Sequence, residues 1–290
     1  MSQPSERVVI VGGSGFVGRQ LGEHLRRAGG DVLALSSGDV DLRSAGAGAK
    51  LAAALRPGDA VVMCSALTPE HGKDAATFIG NVSMAKEAGD AIISATPAFV
   101  VYMSSDAVYA DGPERVSESS PVGASNLYGL AHLARERMFI DATSRARVPL
   151  AILRPCAVYG PGDTHGSYGP NRFIRTALAE GTITLFGAGE ERRDHLFVGD
   201  LCRVVREVVV RRITGSFNVA SGRATSFMEV ARSVAGLLPT AVRIVEAPRA
   251  PGSVITHRSL DIAALRSALP NLTMTELDEG LRQTISATAR

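Results

Sequence analysis

Val8-Val9-Ile10-Val11-Gly12-Gly13-Ser14-Gly15-Phe16-Val17-Gly18 is the stretch whose reading decides the fold. Its first four residues form a continuous β-branched run, the pattern of a strand buried on both faces in a parallel sheet. A glycine turn follows at once, and the apolar spacing beyond it predicts an amphipathic helix from about Gly15 to Ala28. Strand, glycine turn and helix in that order form the context in which such a turn takes a dinucleotide. Gly12 permits a tight turn, Gly15 lets backbone approach a pyrophosphate, and Gly18 allows close helix-to-strand packing. The helix N-terminus adds N–H groups and a partial positive charge. The spacing is Gly-x-x-Gly-x-x-Gly, which alone also suits an ordinary strand-to-helix turn; the flanking elements carry the reading.

Working outward, strands are predicted at Asp31 to Leu35, Ala60 to Met63, Phe99 to Met103, Leu150 to Leu153 and Ser216 to Val219. Helical stretches lie between them, notably Ala75 to Ser94 and Leu127 to Ser144. Alternating strands and helices predict an α/β fold with a doubly wound parallel sheet, Rossmann-like. After Pro155 the texture changes. Residues 159 to 172 read as a Gly- and Pro-rich loop, 173 to 180 as a helix, and Val242 to Val245 as a strand between two short helical patterns. The expected organisation is a dinucleotide-binding domain over 1–158, to which 195–222 return, and a smaller, interrupted C-terminal substrate lobe over 159–194 and 223–290.

Composition narrows the function classes. The 290-residue chain is 45% hydrophobic with a formal net charge of +2, so it carries no nucleic-acid footprint. Cys64, Cys156 and Cys202 lie far apart in apolar runs, with neither metal-ligand nor disulfide spacing, and read as buried, reduced thiols of a cytoplasmic protein. No metal is expected. Met1 to Arg7 are polar and the apolar run after them stops at Gly12, which predicts no signal peptide. No apolar stretch approaches the roughly 20 residues a membrane-spanning helix needs. Lysine occurs only at Lys50, Lys73 and Lys86.

The second strand ends Leu33-Ala34-Leu35-Ser36-Ser37-Gly38, without the carboxylate that commonly binds the adenosine ribose. NAD and NADP are therefore equal expectations. Asp41-Leu42, slightly further on, is expected near the adenine, although Asp41 also suits a turn cap. Ser104-Ser105-Asp106 follow the strand ending at Met103, at the carboxyl end where ligands bind in such sheets. Tyr128 and His132, four apart near a helix start, share a face.

With these residues in view, the chain resembles the extended short-chain dehydrogenase/reductases, in their sugar-nucleotide epimerase, dehydratase and reductase branch. The resemblance rests on the glycine turn, Ser104-Ser105-Asp106-Ala107-Val108-Tyr109, Tyr128, Leu153-Arg154-Pro155-Cys156-Ala157-Val158-Tyr159-Gly160-Pro161-Gly162, Leu185-Phe186-Gly187-Ala188-Gly189, Arg193-Asp194-His195-Leu196-Phe197-Val198-Gly199-Asp200 and Phe217-Asn218-Val219-Ala220-Ser221-Gly222. It implies Tyr128 as general acid/base and Ser105 as the hydrogen-bonding partner of the same substrate oxygen. Asp106 stands where dehydratase-like members carry an acid, but Ala107 replaces a glutamate common there. Cofactor contacts are implied at Gly12, Ser14, Gly15, Phe16, Val17, Gly18, Asp41, Leu42, Ser65, Ala66, Leu67, Asn81, Tyr128, His132 and Pro155. Nucleotide-sugar contacts are implied at Ser105, Asn171, Arg193 and Arg249, arginine being suited to phosphate. His165 is a further candidate contact, His195 a structural one, and Asp194 and Asp200 read as braces. The helices at 78–93 and 130–140 imply a homodimer.

His132 departs from the family's Tyr-x-x-x-Lys pattern. An unperturbed imidazole is mostly neutral at pH 7, so it lowers the pKa of Tyr128 less than lysine does. Three readings stay open at this point: His132 makes the ribose contact, the chain has kept dinucleotide binding as a sensor or scaffold and lost catalysis, or His132 simply packs. The retained Ser105 and Tyr128 favour a working NAD(P)-dependent epimerase or reductase of nucleotide sugars.

Overall fold

The computed structural model describes residues 7–250 and 255–288. The stretch before Arg7, and Pro251, Gly252 and Ser253 of the segment around Arg249, lie outside the described residues. The chain divides into two compact units. The first comprises residues 1–111, 120–155 and 202–218, the second 112–119, 156–201 and 219–290.

The first unit is built on a parallel sheet. Its strands are β1 (Val8–Val11), β2 (Val32–Leu35), β3 (Ala60–Met63), β4 (Phe99–Met103), β5 (Leu150–Pro155) and β6 (Gly215–Val219), in the order β6-β5-β4-β3-β1-β2. The register Val8↔Val32 and Val8↔Ala60 puts β1 between β2 and β3. Strand order therefore reverses at β1, the place where doubly wound sheets open a crevice at the carboxyl ends of their strands. β1, β3 and β4 are buried along their whole length, as continuous apolar runs require when helices cover both faces.

Three helices position the site. α1 (Phe16–Arg27) buries Phe16, Leu21 and Leu25 and ends on Arg26 and Arg27, cations that suit a helix C-terminus. α2 (Ala75–Ala95) starts at Asp74, whose carboxylate accepts from the Thr77 N–H. α3 (Leu127–Ala146) starts at Asn126, whose side chain accepts from the Gly129 N–H. A Cβ at Gly129 would stand 2.1 Å from the Ala107 carbonyl oxygen. Glycine there lets α3 close onto the 3-10 turn Asp106–Val108, which sets Tyr128 beside Ser105. The core gathers Val9, Val61, Met63, Met84, Ile92, Val100, Tyr102 and Phe139 around the sheet.

The second unit holds a three-stranded sheet of Ala224–Ser226, Arg192–Phe197 and Ala157–Tyr159. Two parallel pairs accompany it, Arg243–Ala247 with Thr182–Phe186 and Ser259–Leu260 with Arg115–Val116. Its helices include Pro170–Glu180, longer at its start than the sequence suggests because Pro170 opens it, and Phe227–Leu237, whose Ser226 and Glu229 form a reciprocal capping box. No described helix is long and apolar enough to cross a membrane.

Candidate active site

The glycine turn bends tightly against the chain that leaves β3. Gly12 has φ +92°, and a Cβ on it would meet the Ser65 nitrogen at 2.6 Å. Gly18 packs harder still, its virtual Cβ falling 2.2 Å from the Gly12 carbonyl oxygen. Gly15 differs: its virtual Cβ meets only that same oxygen, at an ordinary 3.5 Å, and otherwise faces open space. Gly15 also caps α1 without any side-chain hydrogen bond, and the first turn of α1 holds no acidic residue. A helix N-terminus left in this state suits an anionic group.

A cavity of about 270 Å3 opens there. Gly12, Ser14, Gly15, Asp41, Leu42, Ser65, Ala66 and Leu67 line it, eight of the residues expected to meet a cofactor. Phe16, Val17 and Gly18 form the first turn of α1 behind Gly15. Asn81 stands behind the wall: it donates to the Leu67 carbonyl at 2.9 Å and accepts from the Leu67 N–H at 3.0 Å. Pro155 closes β5 and is buried. The wall also includes Ser36, Ser37, Arg43 and His71, which the sequence reading did not single out. Asp41 lines the cavity while accepting from the Arg43 backbone N–H at 3.1 Å and pairing with its guanidinium at 2.9 and 2.8 Å. The Ser65 hydroxyl is buried and has no hydrogen-bond partner. Close-packed glycines, an uncapped helix end and an orphaned hydroxyl make a cradle that fits a dinucleotide.

β4, two strands from β1 and so roughly 10 Å away across the sheet, delivers Ser104 and Ser105 at its carboxyl end. The Ser105 hydroxyl caps the 3-10 turn by accepting from the Ala107 N–H at 3.1 Å, and it neighbours the half-buried Tyr128 phenol. Asp106 adjoins Ser105 at 3.4 Å. Burial raises the pKa of Tyr128 and the Asp106 charge raises it further, while the neighbouring Ser105 hydroxyl and the charge of Arg135 pull it down; the net direction is up.

His132 is buried at 3% exposure and sets its ring edge against Tyr128, with centroids 4.7 Å apart. Its Nδ1 shares a 2.8 Å hydrogen bond with the Tyr102 hydroxyl, and its Nε2 has no partner. Desolvation, with Arg135 nearby, pushes its pKa down to about 3, so the ring is neutral at every ordinary pH. His132 is thus packed among Tyr102 and Tyr128 with its Nε2 unpartnered.

Behind these residues runs a buried polar chain that the sequence does not announce. Glu136 accepts from the Ser104 hydroxyl at 2.6 Å and from Arg154 at 2.9 and 2.8 Å. Arg154 donates to the Tyr109 hydroxyl at 3.1 Å, and Tyr109 donates to Asn218. The chain ties β4, α3, β5 and β6 together through Ser104, the residue before Ser105.

In the second unit, Arg193 donates to Glu191 at 2.6 Å and to the Thr256 hydroxyl at 2.8 Å. Arg249 pairs with Glu190 at 3.1 Å and Glu191 at 3.6 Å, so the two arginines expected to meet a diphosphate converge on one carboxylate. Asn171 is buried and braces Gly160, donating to its carbonyl at 2.9 Å and accepting from its N–H at 3.0 Å. Asp194 accepts from the Ser221 and Gly222 N–H groups and Asp200 from that of Thr275, so both act as braces. His165 bonds Asp163 at 2.7 Å. His195 is buried with neither ring nitrogen partnered, and desolvation lowers its pKa to about 4. No disulfide joins the three cysteines; Cys156 and Cys202 are buried as expected, whereas Cys64 is half-buried beside the cavity, and desolvation pushes its thiol up to about 12. No cluster of three or more candidate metal ligands exists among the described residues.

Known proteins resemble this chain in sequence and fold. The dTDP-4-dehydrorhamnose reductase of Mycolicibacterium smegmatis (strain ATCC 700084 / mc(2)155) is 27% identical over 300 residues, covering 98% of this chain and 86% of that protein. Among solved structures, MoeE5 in complex with UDP-glucose and NAD is 26% identical with a TM-score of 0.85, covering 98% of this chain and 99% of MoeE5. The Thermus thermophilus UDP-glucose 4-epimerase in complex with NAD shares the fold at 23% identity and a TM-score of 0.84, again over 98% and 99% of the two chains. The sequence profile of the NAD dependent epimerase/dehydratase family matches residues 8–220. The chain belongs to that family.

Proposed function

We propose that this NAD dependent epimerase/dehydratase family member transfers hydride to or from a nucleotide-activated sugar, either reducing a 4-keto group or epimerising at C4. One observation carries the reading: Ser105 and Tyr128 stand together at the carboxyl end of β4, where α3 closes onto the 3-10 turn, in the same sheet as the glycine cradle at the end of β1. Relatives named for a dTDP-linked sugar and solved with UDP-glucose support the substrate class.

When bound, a nicotinamide cofactor would supply or accept the hydride. Gly12, Gly15, the first turn of α1 and Ser65 would hold its dinucleotide, with Asp41, Leu42 and Arg43 further along the wall. The chain's own work is proton handling. Because its pKa is raised, Tyr128 stands as a neutral phenol at working pH. It donates its proton to the substrate oxygen in the reducing direction and recovers one in the oxidising direction. Ser105, beside the phenol, would donate to the same oxygen. Arg193 and Arg249 would take the diphosphate in exchange for Glu191. Ile79, Leu130 and Ile140 leave apolar side chains exposed on α2 and α3, which supports pairing of two copies through these helices. Three cysteines without a disulfide suit the cytoplasm.

The first test is to denature the purified protein, identify any nucleotide released, and titrate the emptied protein with NADH and NADPH. Tightly held NAD points to an epimerase that recycles its cofactor; reversible binding of one reduced cofactor points to a reductase. Binding of neither overturns the reading. Tyr128→Phe then separates enzyme from binding protein: turnover is expected to fall by about 10²- to 10⁴-fold with dinucleotide affinity intact. Unchanged turnover would show that Tyr128 is not the acid.

A further inference from the structure

We propose that the buried guanidinium of Arg135 supplies the positive charge that makes Tyr128 usable as an acid and base, while His132 only packs and hydrogen-bonds. The inference rests on Tyr128 being the proton-transfer group argued above. Arg135 is a positioning residue in this scheme, acting on the reaction through Tyr128.

Tyr128, His132, Arg135 and Phe139 occupy positions i, i+4, i+7 and i+11 of α3 and form one inward stripe. Arg135 is 1% exposed. Among the described residues no carboxylate lies within ion-pair distance of it. Its neighbours are neutral: the Asn81 Oδ1 at 2.7 Å, the Ser65 carbonyl, and the Tyr102 ring at 5.5 Å to the centroid. Its Nε has no partner. Burial of a cation without a counter-charge is expensive, and an apolar residue of similar volume is commonly the more stable choice. The two hydrogen bonds position the guanidinium but do not compensate its charge.

The charge acts on whatever titrates nearby, because a poorly hydrated interior transmits a field that water would screen. On α3 itself, His132 is neutral, and Glu136 is tied to Arg154 as a closed pair. From β4, Tyr102 is a buried neutral phenol whose hydroxyl holds His132 in place. From α2, Asn81 is neutral. From the 3-10 turn after β4, Ser105 is neutral and Asp106 is an anion that works against ionisation of Tyr128. Arg135 is the single cation among the described groups that faces this stripe, and its effect on Tyr128 runs opposite to that of burial and of Asp106.

The test uses the full chain. Tyr128 is titrated by tyrosinate absorbance, taken as the difference between each protein and its Tyr128→Phe counterpart, and compared with the alkaline limb of the kcat/KM profile. Arg135→Met is expected to raise the Tyr128 midpoint and the limb together by about one pH unit, and to slow the oxidising direction near pH 7 about tenfold. Arg135→Lys, which keeps the charge, is expected to leave both close to wild type. A folded Arg135→Met protein with an unmoved midpoint overturns the inference and leaves the proposed function standing; full turnover in Tyr128→Phe overturns the function itself. His132→Lys answers independently if Arg135→Met does not fold. With the charge already supplied, a second cation beside Arg135 brings no gain. A tenfold gain at neutral pH from His132→Lys alone would overturn the proposal.

Discussion

Replacing Gly15 by alanine separates binding from folding at the glycine turn. Gly15 sits at φ −71° and ψ 169°, extended backbone open to any residue, and the new methyl would touch only the Gly12 carbonyl oxygen at 3.5 Å. The folded protein therefore bears little more than the loss of glycine at a helix N-cap, about 0.5–1 kcal/mol, or roughly 2 °C in Tm. The same methyl stands in the space through which the backbone must be approached. An overpacked contact there costs about 1–3 kcal/mol, a weakening of dinucleotide Kd of about 5- to 150-fold. Gly18→Ala is the control. Its methyl would fall 2.2 Å from the Gly12 carbonyl oxygen and about 3 Å from two further backbone atoms, none of which can swing aside. That variant is expected to lose Tm first and affinity only in consequence. The assay is a thermal melt by circular dichroism beside a titration with NADH and NADPH by fluorescence. Gly15→Ala that binds within twofold of wild type would refute the placement of the pyrophosphate; Gly18→Ala that melts like wild type would refute the packing argument.

The remaining expectations are briefer. His132 and His195 are buried neutral, with pKa values lowered to about 3 and about 4. Both lie below the unfolded value near 6.5, so the unfolded chain binds the extra protons and stability falls as pH drops from about 6.5 toward 4. At pH 5 each contributes about 2 kcal/mol of that loss. Urea melts of His195→Phe should lose about half of the acid sensitivity, and an unchanged pH dependence would count against it. Arg154→Met leaves Glu136 buried without its partner and should destabilise by about 3–5 kcal/mol; a urea midpoint close to wild type would show the pair is not needed. Arg193→Ala is expected to raise KM for a nucleotide sugar about tenfold with kcat held, reflecting one lost charge-assisted phosphate contact. An unchanged KM would instead favour a small, phosphate-free ketone.

What the sequence discloses and what it hides divide along a physical line. β1, the glycine turn and α1 are legible because their signals are local: a β-branched run, a glycine cluster and a 3.6-residue period. Ser105 and Tyr128 are legible through their motifs, and the structure brings them together through Gly129, whose missing side chain lets α3 close. Arg135 and the Glu136–Arg154 pair are not legible, because charged residues on a helix normally read as a solvated face, and here only tertiary packing turns that face inward. Arg43 escapes notice for another reason. Inspection of the strand end looks at Ser36 and Ser37, while the loop returns Arg43 to the same wall seven residues after Ser36. Asn81, expected as a cofactor contact, also braces the backbone of Leu67 from behind the wall, a partnership only tertiary packing reveals. The helix beginning at Pro170 carries its own start signal, a proline in the first turn, which a reading based on apolar period alone passes over.

The chain passes between its two units five times, at 111/112, 119/120, 155/156, 201/202 and 218/219. Neither unit is therefore a continuous piece of polypeptide, and the consequence falls on synthesis. β5 ends at Pro155, but its neighbour β6 begins only at Gly215, 60 positions later. At about 5–20 residues per second on the ribosome, β5 spends several seconds or more as an unpaired hydrophobic edge, the kind of edge that recruits other chains. A fragment ending near residue 158 would keep that edge permanently. It should aggregate on expression, whereas a slowly translated full-length chain should depend on chaperones only until residue 219 emerges.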